Sequence, residues 1–264
     1  MTIVVKVGGA VGNAAGPLVE ELAGRTDWVL VHGGSDAVDR LGDALGVPSR
    51  YYTSPSGVVS RRSDPAHLDV LTLALAGRVN PSLVAAFVAR GVKAVGLSGI
   101  DGPLLVGRRK EGAREVVGGK ILRVTDDYAG TVERVDGTLL RLLLDRGYAP
   151  IVHPPAVTSA GEVINVDADR AAAAVATAVR AEALVLLTNV PGLLRDVADP
   201  SSLIARVAPE EIEAVLPLAQ GRMRKKILAA QAALAGGVGR VVVAPSGRNS
   251  PVAAALRGEG TVIG

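Results

Sequence analysis

Short apolar runs of valine, isoleucine and leucine alternate along this chain with alanine- and leucine-rich segments of helical character. Strands are expected at 3–7, 28–31, 94–97, 149–152, 183–187 and 240–244, and helices at 16–24, 36–45, 66–76, 80–90, 137–146, 169–179, 209–216 and 222–235. The strand candidates are continuously apolar rather than alternating, the mark of strands covered on both faces. A mainly parallel, open α/β sheet sandwiched by helices follows, as one domain over 1–264 with one continuous core. Two segments depart from the pattern. Residues 50–64 are rich in Ser, Pro, Tyr and Gly, and residues 104–135 mix short apolar stretches with glycine and charge, as antiparallel hairpins lying over a site do.

Two of the expected strands run directly into glycine pairs, Gly8-Gly9 and Gly33-Gly34-Ser35. Glycine just beyond a strand lets backbone N–H groups close on a phosphate or carboxylate with no Cβ in the way. Far downstream, Gly221-Arg222-Met223-Arg224-Lys225-Lys226 opens a helix and supplies a cationic centre that could face the same anion as Lys6. A lysine on either side of a transferring phosphoryl group suits the charge that develops on its oxygens.

Composition narrows the chemistry. Of 264 residues 48% are hydrophobic but only 2% aromatic, so small aliphatic side chains fill the interior and helices pack closely. With no cysteine there is no disulfide, thiolate metal site or cysteine nucleophile, and the three histidines lack metal-ligand spacing, so no protein metal centre is expected. The formal charge of +3 is small, yet the basic residues cluster at Arg61-Arg62, Arg108-Arg109-Lys110 and 222–226, which fits an acidic partner or substrate. Without interleaved aromatics no nucleic-acid binding is expected. Neither a signal segment nor an apolar run of membrane-spanning length is read from the chain, so a cytoplasmic location away from the membrane is expected.

Two further segments complete the set. Asn165-Val166-Asp167-Ala168-Asp169 places an amide and two carboxylates at a helix start, where capping competes with a role in a cleft. Thr188-Asn189-Val190-Pro191-Gly192-Leu193 ends an apolar strand in a polar turn, on the side where ligands bind open α/β sheets.

In this order, with Gly96-Leu97-Ser98-Gly99 and Asp101-Gly102 between them, the motifs resemble the amino-acid kinase family, in its acetylglutamate kinase branch, over nearly the whole chain. Residues 53–61, the Arg108-Arg109-Lys110 hairpin and Asp126-Asp127-Tyr128 are most similar to the kinases that phosphorylate aminoadipate or glutamate attached to the acidic amino-group carrier protein LysW. The resemblance implies an acceptor-binding lobe over about 1–155, a nucleotide-binding lobe over about 156–264, and a homodimer. It implies that ATP with Mg²⁺ phosphorylates a side-chain carboxylate, with Lys6 and Lys226 on the phosphoryl group, Lys225 competing for the second position, and Asp169 orienting the lysines. Gly8 and Gly9 would cradle the nucleotide phosphates, and Gly33, Gly34 and Ser35 the acceptor. Arg61 would clamp the acceptor's α-carboxylate and Asn165 its amide, while Thr188, Val190, Gly192 and Leu193 would line the nucleotide. Arg62, Arg108, Arg109 and Lys110 would meet the carrier.

The chain also departs from that branch. Ser35 stands in place of a third glycine, Asn189 in place of an aspartate, and Ser60-Arg61-Arg62-Ser63-Asp64 in place of Gly-Leu-Arg-Val-Thr, so a free acetyl group is not the expected ligand. The branch's arginine-inhibited members carry an extra N-terminal helix for which the sequence as read leaves no room, so by resemblance arginine feedback is not expected. Acetylglutamate kinase and a non-catalytic nucleotide- or amino-acid-sensing module are the competing readings, the latter disfavoured by the presence of both lysines and Asp169.

Overall fold

The computed structural model describes residues 2–9, 15–53, 59–112 and 114–264. Among these, an eight-stranded sheet runs in the order Arg206–Val207, Thr261–Ile263, Arg240–Pro245, Ala183–Thr188, Ile3–Val7, Trp28–His32, Ala149–His153 and Ala94–Ser98. Every neighbouring pair is parallel except Thr261–Ile263 against Arg240–Pro245. The four strands on one side of Ile3–Val7 all come from the last third of the chain, so the first strand is the seam between two halves of one sheet.

Alternate residues of the strands face opposite ways, and the core divides accordingly. Val4, Val31, Leu184, Leu186 and Val243 pack beneath the helices Ala168–Ala178 and Gly221–Ala235. Val5, Leu30, Val185 and Val242 pack with Leu18, Leu22, Phe87 and Val252 on the other side. The single continuous core expected from sequence is thus two cores separated by the sheet, with a third, smaller cluster around Val38, Val70 and Leu75.

The hairpins expected outside the sheet are present. Tyr51–Thr53 pairs antiparallel with Val59–Arg61, and part of the 53–61 motif, residues 54–58, lies outside the described residues. Leu105–Arg109 and Gly130–Val135 pair antiparallel within a four-stranded sheet, and Arg114–Val117 with Lys120–Arg123 form a separate hairpin.

One expectation needs correcting. The helices expected at 66–76 and 80–90 join through a π-helical turn, Leu75–Val79, because the chain passes Gly77 and Pro81 without breaking. The resulting run Pro65–Val88, with a mean hydropathy of 1.5, is long and apolar enough by length and composition to cross a membrane. In this fold its Leu68, Leu71, Leu75, Leu83 and Phe87 are buried against the rest of the protein.

Candidate active site

The strands Ile3–Val7, Trp28–His32 and Ala183–Thr188 end at the same edge of the sheet, and their trailing turns meet there. The two glycine pairs touch. A Cβ on Gly9 would lie 2.2 Å from the Gly34 Cα, and one on Gly34 would lie 2.4 Å from Leu75 Cδ2, so neither position admits a side chain without movement. The Asp36 N–H donates to the Gly9 carbonyl at 2.9 Å, which ties the first pair to the helix Ser35–Ala44. A cleft of about 210 Å³ opens here, lined by Gly8, Gly9, Gly33, Gly34, Asp36 and Arg40 among others.

The backbone donors are not equivalent. The Gly33 N–H donates to the Val7 carbonyl at 3.1 Å and is engaged in extending the strand ladder, which removes it from the expected cradle. The N–H groups of Gly9, Gly34 and Ser35 find no acceptor among the described residues. Those of Gly34 and Ser35 stand at the positive end of a ten-residue helix, where an anion is favoured.

Next to these turns, on the sheet face covered by the helices Ala168–Ala178 and Gly221–Ala235, three buried charges converge; a Cβ on Gly33 would lie 3.7 Å from the Ala168 Cβ, one residue before Asp169. Lys6 Nζ lies 2.7 Å from Asp169 Oδ1, and Lys226 Nζ lies 3.0 and 3.1 Å from Asp169 Oδ1 and Oδ2. Lys6 reaches this point because, like Val4, it projects toward the helices Ala168–Ala178 and Gly221–Ala235. Asp167 caps the first of these, accepting from the N–H groups of Asp169 and Arg170, so capping falls to Asp167 and Asp169 is left to the lysines. Burial alone would raise the pKa of Asp169, but Lys6 and Lys226 outweigh it and hold the carboxyl well below its usual range. Burial, reinforced by Lys6, lowers the pKa of Lys226, and Asp169 opposes that shift. Lys225 points elsewhere, 3.7 Å from Asp167.

The residues expected at the acceptor form a second group. Asn165 Nδ2 donates to Ser63 Oγ at 2.8 Å, and Asp127 binds both the Ser63 N–H at 2.9 Å and the Tyr52 hydroxyl at 2.8 Å. The buried Asp127 therefore fastens the Tyr51–Arg61 hairpin to the segment carrying Asn165, a structural role that the motif alone does not reveal. Arg61 is already engaged, with Nη1 2.6 Å from Asp39 Oδ1 and bonded also to Ser49 Oγ. Burial raises the Asp39 pKa, and Arg61 with Ser49 overcomes this to lower it. Arg62, one residue on, donates from Nη2 to the Thr125 carbonyl at 3.2 Å, while its buried Nε has no partner.

The basic hairpin proves heterogeneous. Arg109 stacks 3.7 Å from the Tyr128 ring centroid, donates to the Asp127 carbonyl at 2.8 Å and pairs with Glu162 at 3.2 Å, so it braces the fold. The Arg108 side chain is 74% exposed and pairs with Glu133. Lys110 is exposed, and its pKa is lowered first by partial burial of its side chain and then by Arg170 and Lys225.

Of the residues expected around the nucleotide, Thr188 is buried at its strand end and Val190 half-buried in the turn. A Cβ on Gly192 would lie 2.6 Å from Thr261 Oγ1, and the same hydroxyl accepts from the Leu193 N–H at 2.8 Å. Leu193 is 1% exposed and packs in the core, so its side chain is not at a binding surface.

This sheet, with lysines from its central strand and a distant helix meeting over paired glycines, is the framework of a phosphotransferase. The sequence profile of the amino acid kinase family matches residues 1–245, and the chain belongs to that family. It is an ATP-dependent phosphotransferase, and the acetylglutamate kinase branch read from the motifs is borne out. It is 48% identical over 267 residues to LysW-aminoadipate kinase of Deinococcus radiodurans, covering 99% of this chain and 91% of that relative. It is 40% identical over 263 residues to acetylglutamate kinase of Methanopyrus kandleri, covering 98% of this chain and 99% of the relative. Among solved structures, N-acetylglutamate synthase from Neisseria gonorrhoeae superposes with a TM-score of 0.78 at 28% identity, over 99% of this chain and 59% of that longer one.

Proposed function

We propose that this chain transfers the γ-phosphoryl group of ATP to the side-chain carboxylate of aminoadipate or glutamate carried on an acidic, LysW-like protein, giving an acyl phosphate and ADP for amino-acid biosynthesis in the cytoplasm. The observation that carries the reading is the buried Lys6–Asp169–Lys226 cluster next to the strand-end glycine turns, together with 48% identity to a LysW-aminoadipate kinase along nearly the whole chain.

A carboxylate oxygen of the acceptor attacks the γ-phosphorus as the bond to the β–γ bridging oxygen breaks, and ADP leaves with that electron pair. The carboxylate is already ionised, so no protein base is needed. Catalysis then rests on alignment and charge compensation. Lys6 and Lys226 bind oxygens of the transferring group from two sides, and Asp169 holds the two cations together in a buried site that would otherwise drive them apart. Gly8 and Gly9 receive the nucleotide phosphates, the Gly34 and Ser35 amides receive the acceptor carboxylate, and Thr188, Val190 and Gly192 border the nucleotide.

Both oxygens of Asp169 are taken by ammonium groups, and no cluster of three metal-ligating side chains occurs among the described residues. Mg²⁺ accordingly enters as part of the MgATP substrate, held by its phosphates. For the acceptor's α-carboxylate, Arg61 would have to exchange Asp39 for the ligand, whereas Arg62 has an unpaired Nε and only a carbonyl partner, that of Thr125. Arg62 is the better-placed clamp. Arg108 and Lys110, not Arg109, are the charges available to an acidic carrier. A homodimer is the further part of this reading, supported by the exposed Leu73 and Val88 on the long apolar run.

The test is an acceptor comparison, with hydroxylamine to trap acyl phosphate as hydroxamate. Carrier-linked aminoadipate is expected to give hydroxamate equal to ADP, with activity falling as salt screens the encounter. Preferred turnover of free acetylglutamate, insensitive to the carrier, would move the protein to the acetylglutamate kinase reading.

A further inference from the structure

Behind the second glycine pair lies a buried polar chain that the phosphoryl-transfer residues do not use. Asn80 Nδ2 donates to the Ile151 carbonyl at 3.0 Å. A carbonyl only accepts, so this contact orients the amide with its NH₂ group toward Ile151 and its oxygen toward Gly96. A Cβ at Gly96 would lie 1.9 Å from that oxygen, so the glycine makes the room. The same Nδ2 lies 3.0 Å from His32 Nε2, which must then accept. The ring proton is therefore on Nδ1, which donates to the Gly33 carbonyl at 2.9 Å. Each bond fixes the next.

The peptide joining Gly33 and Gly34 is planar and trans, so pinning its carbonyl toward the imidazole turns the Gly34 N–H to the opposite side. The π-helical turn completes the clamp. An additional residue in a helical turn shifts the side chains that follow it. Leu75 and Val79, at the ends of this turn, press on Gly34, where a Cβ would lie 2.4 and 3.2 Å from their methyl carbons, and Asn80 comes next.

We propose that His32 is a positioning residue: its neutral, Nδ1-protonated tautomer, selected by Asn80, aims the Gly34 N–H at the acceptor carboxylate. This rests on the acceptor role given above to Gly34 and Ser35. Burial, with smaller contributions from His153 and Lys6, pushes the His32 pKa down to about 3 against the opposing Gly33 bond. The His153 ring lies 5.2 Å away, centroid to centroid, and is itself shifted downward by burial. The imidazole is thus neutral throughout the working range, as the hydrogen-bond chain requires.

Three measurements test this. Long-range ¹⁵N–¹H correlation on the wild-type protein at pH 7 should show His32 protonated at Nδ1 alone, and an Nε2-protonated ring or an imidazolium would overturn the proposal without reference to activity. In kinetics, His32→Leu should raise the acceptor KM by about 10-fold, the equivalent of one well-made hydrogen bond, with the ATP KM unchanged. His32→Asn, whose amide NH₂ can replace Nδ1–H, should recover most of that loss. Equal changes in both KM values, or no recovery by Asn in a folded variant, would assign His32 to packing alone. Asn80→Asp cannot donate to Nε2 and should favour the imidazolium, making the acceptor KM pH-dependent between pH 6 and 8. A flat profile there would contradict the tautomer control. If wild-type enzyme fails to turn over any carrier-linked acceptor, the functional reading fails while the tautomer measurement still judges the hydrogen-bond chain.

Discussion

Asp169 with two ammonium groups within 3.1 Å shows how much a single carboxylate can determine at the scale of a residue. It reconciles two buried like charges and sets their spacing before any substrate arrives. The pair of adjacent lysines, which sequence leaves unranked, is separated by geometry: Lys226 turns inward to Asp169 and Lys225 outward to Asp167. Adjacent arginines separate in the same way, because successive residues of the Val59–Arg61 strand and its continuation face opposite sides. Arg61→Ala is expected to strand the Asp39 carboxylate and lower the urea midpoint, with a small change in acceptor KM. Arg62→Ala should raise the acceptor KM by ~10- to 100-fold with the ATP KM unchanged, the range expected for losing charge-assisted hydrogen bonds. Steady-state kinetics on both variants decide this, and a larger acceptor effect in Arg61→Ala would return the clamp to Arg61.

At the scale of elements, the six strands expected from continuous apolar runs all form: five are buried over most of their length, which leaves a clear signal, and the half-buried edge strand Ala94–Ser98 is short and apolar enough to be read with them. Arg206–Val207, Thr261–Ile263 and the short helix Pro251–Leu256 were not legible, since a strand of two or three residues and a helix of fewer than two turns carry too little pattern to be read. The glycine pairs and Lys6 were visible as strand-end punctuation. Their mutual contact was not, because it depends on register between strands, nor was the loss of the Gly33 N–H to the ladder. The π-helical turn was equally hidden. The two helices were read with a gap at 77–79, whereas packing against Gly34 carries the helix through. Arg109, read as part of a charged docking run, also stacks on Tyr128, a contact that depends on how the two segments pack and carries no sequence signal.

At the scale of the whole molecule, buried ionisable groups link stability to pH. The His32 pKa of about 3 lies below its unfolded value near 6.5, so the unfolded chain takes up the proton first as pH falls. The stability this neutral imidazole contributes is complete above pH 6.5 and is lost progressively toward pH 3, by up to about 1.4 kcal/mol per pH unit. His153, also shifted downward, acts in the same direction. Asp169 contributes stability that persists above its unfolded pKa near 4 and disappears only below it. Urea unfolding is therefore expected to show a falling midpoint between pH 6.5 and about 5.5, above the range in which most carboxylates titrate, with a shallower slope in His32→Asn. A midpoint independent of pH over that range would mean that the histidines are solvated in the native state.

The account as a whole turns on two lysines acting on one phosphoryl group, and the most direct measurement is the single-turnover rate of ADP and acyl phosphate formation in Lys6→Ala, Lys226→Ala and Lys225→Ala, each checked for native circular dichroism. Lys6→Ala and Lys226→Ala should each fall by ~10²- to 10³-fold, as when one donor to a developing anionic charge is removed, with Lys225→Ala close to wild type. A near-normal rate in either of the first two, or a loss in Lys225→Ala as large as that in Lys226→Ala, would contradict the placement of the phosphoryl group between Lys6 and Lys226.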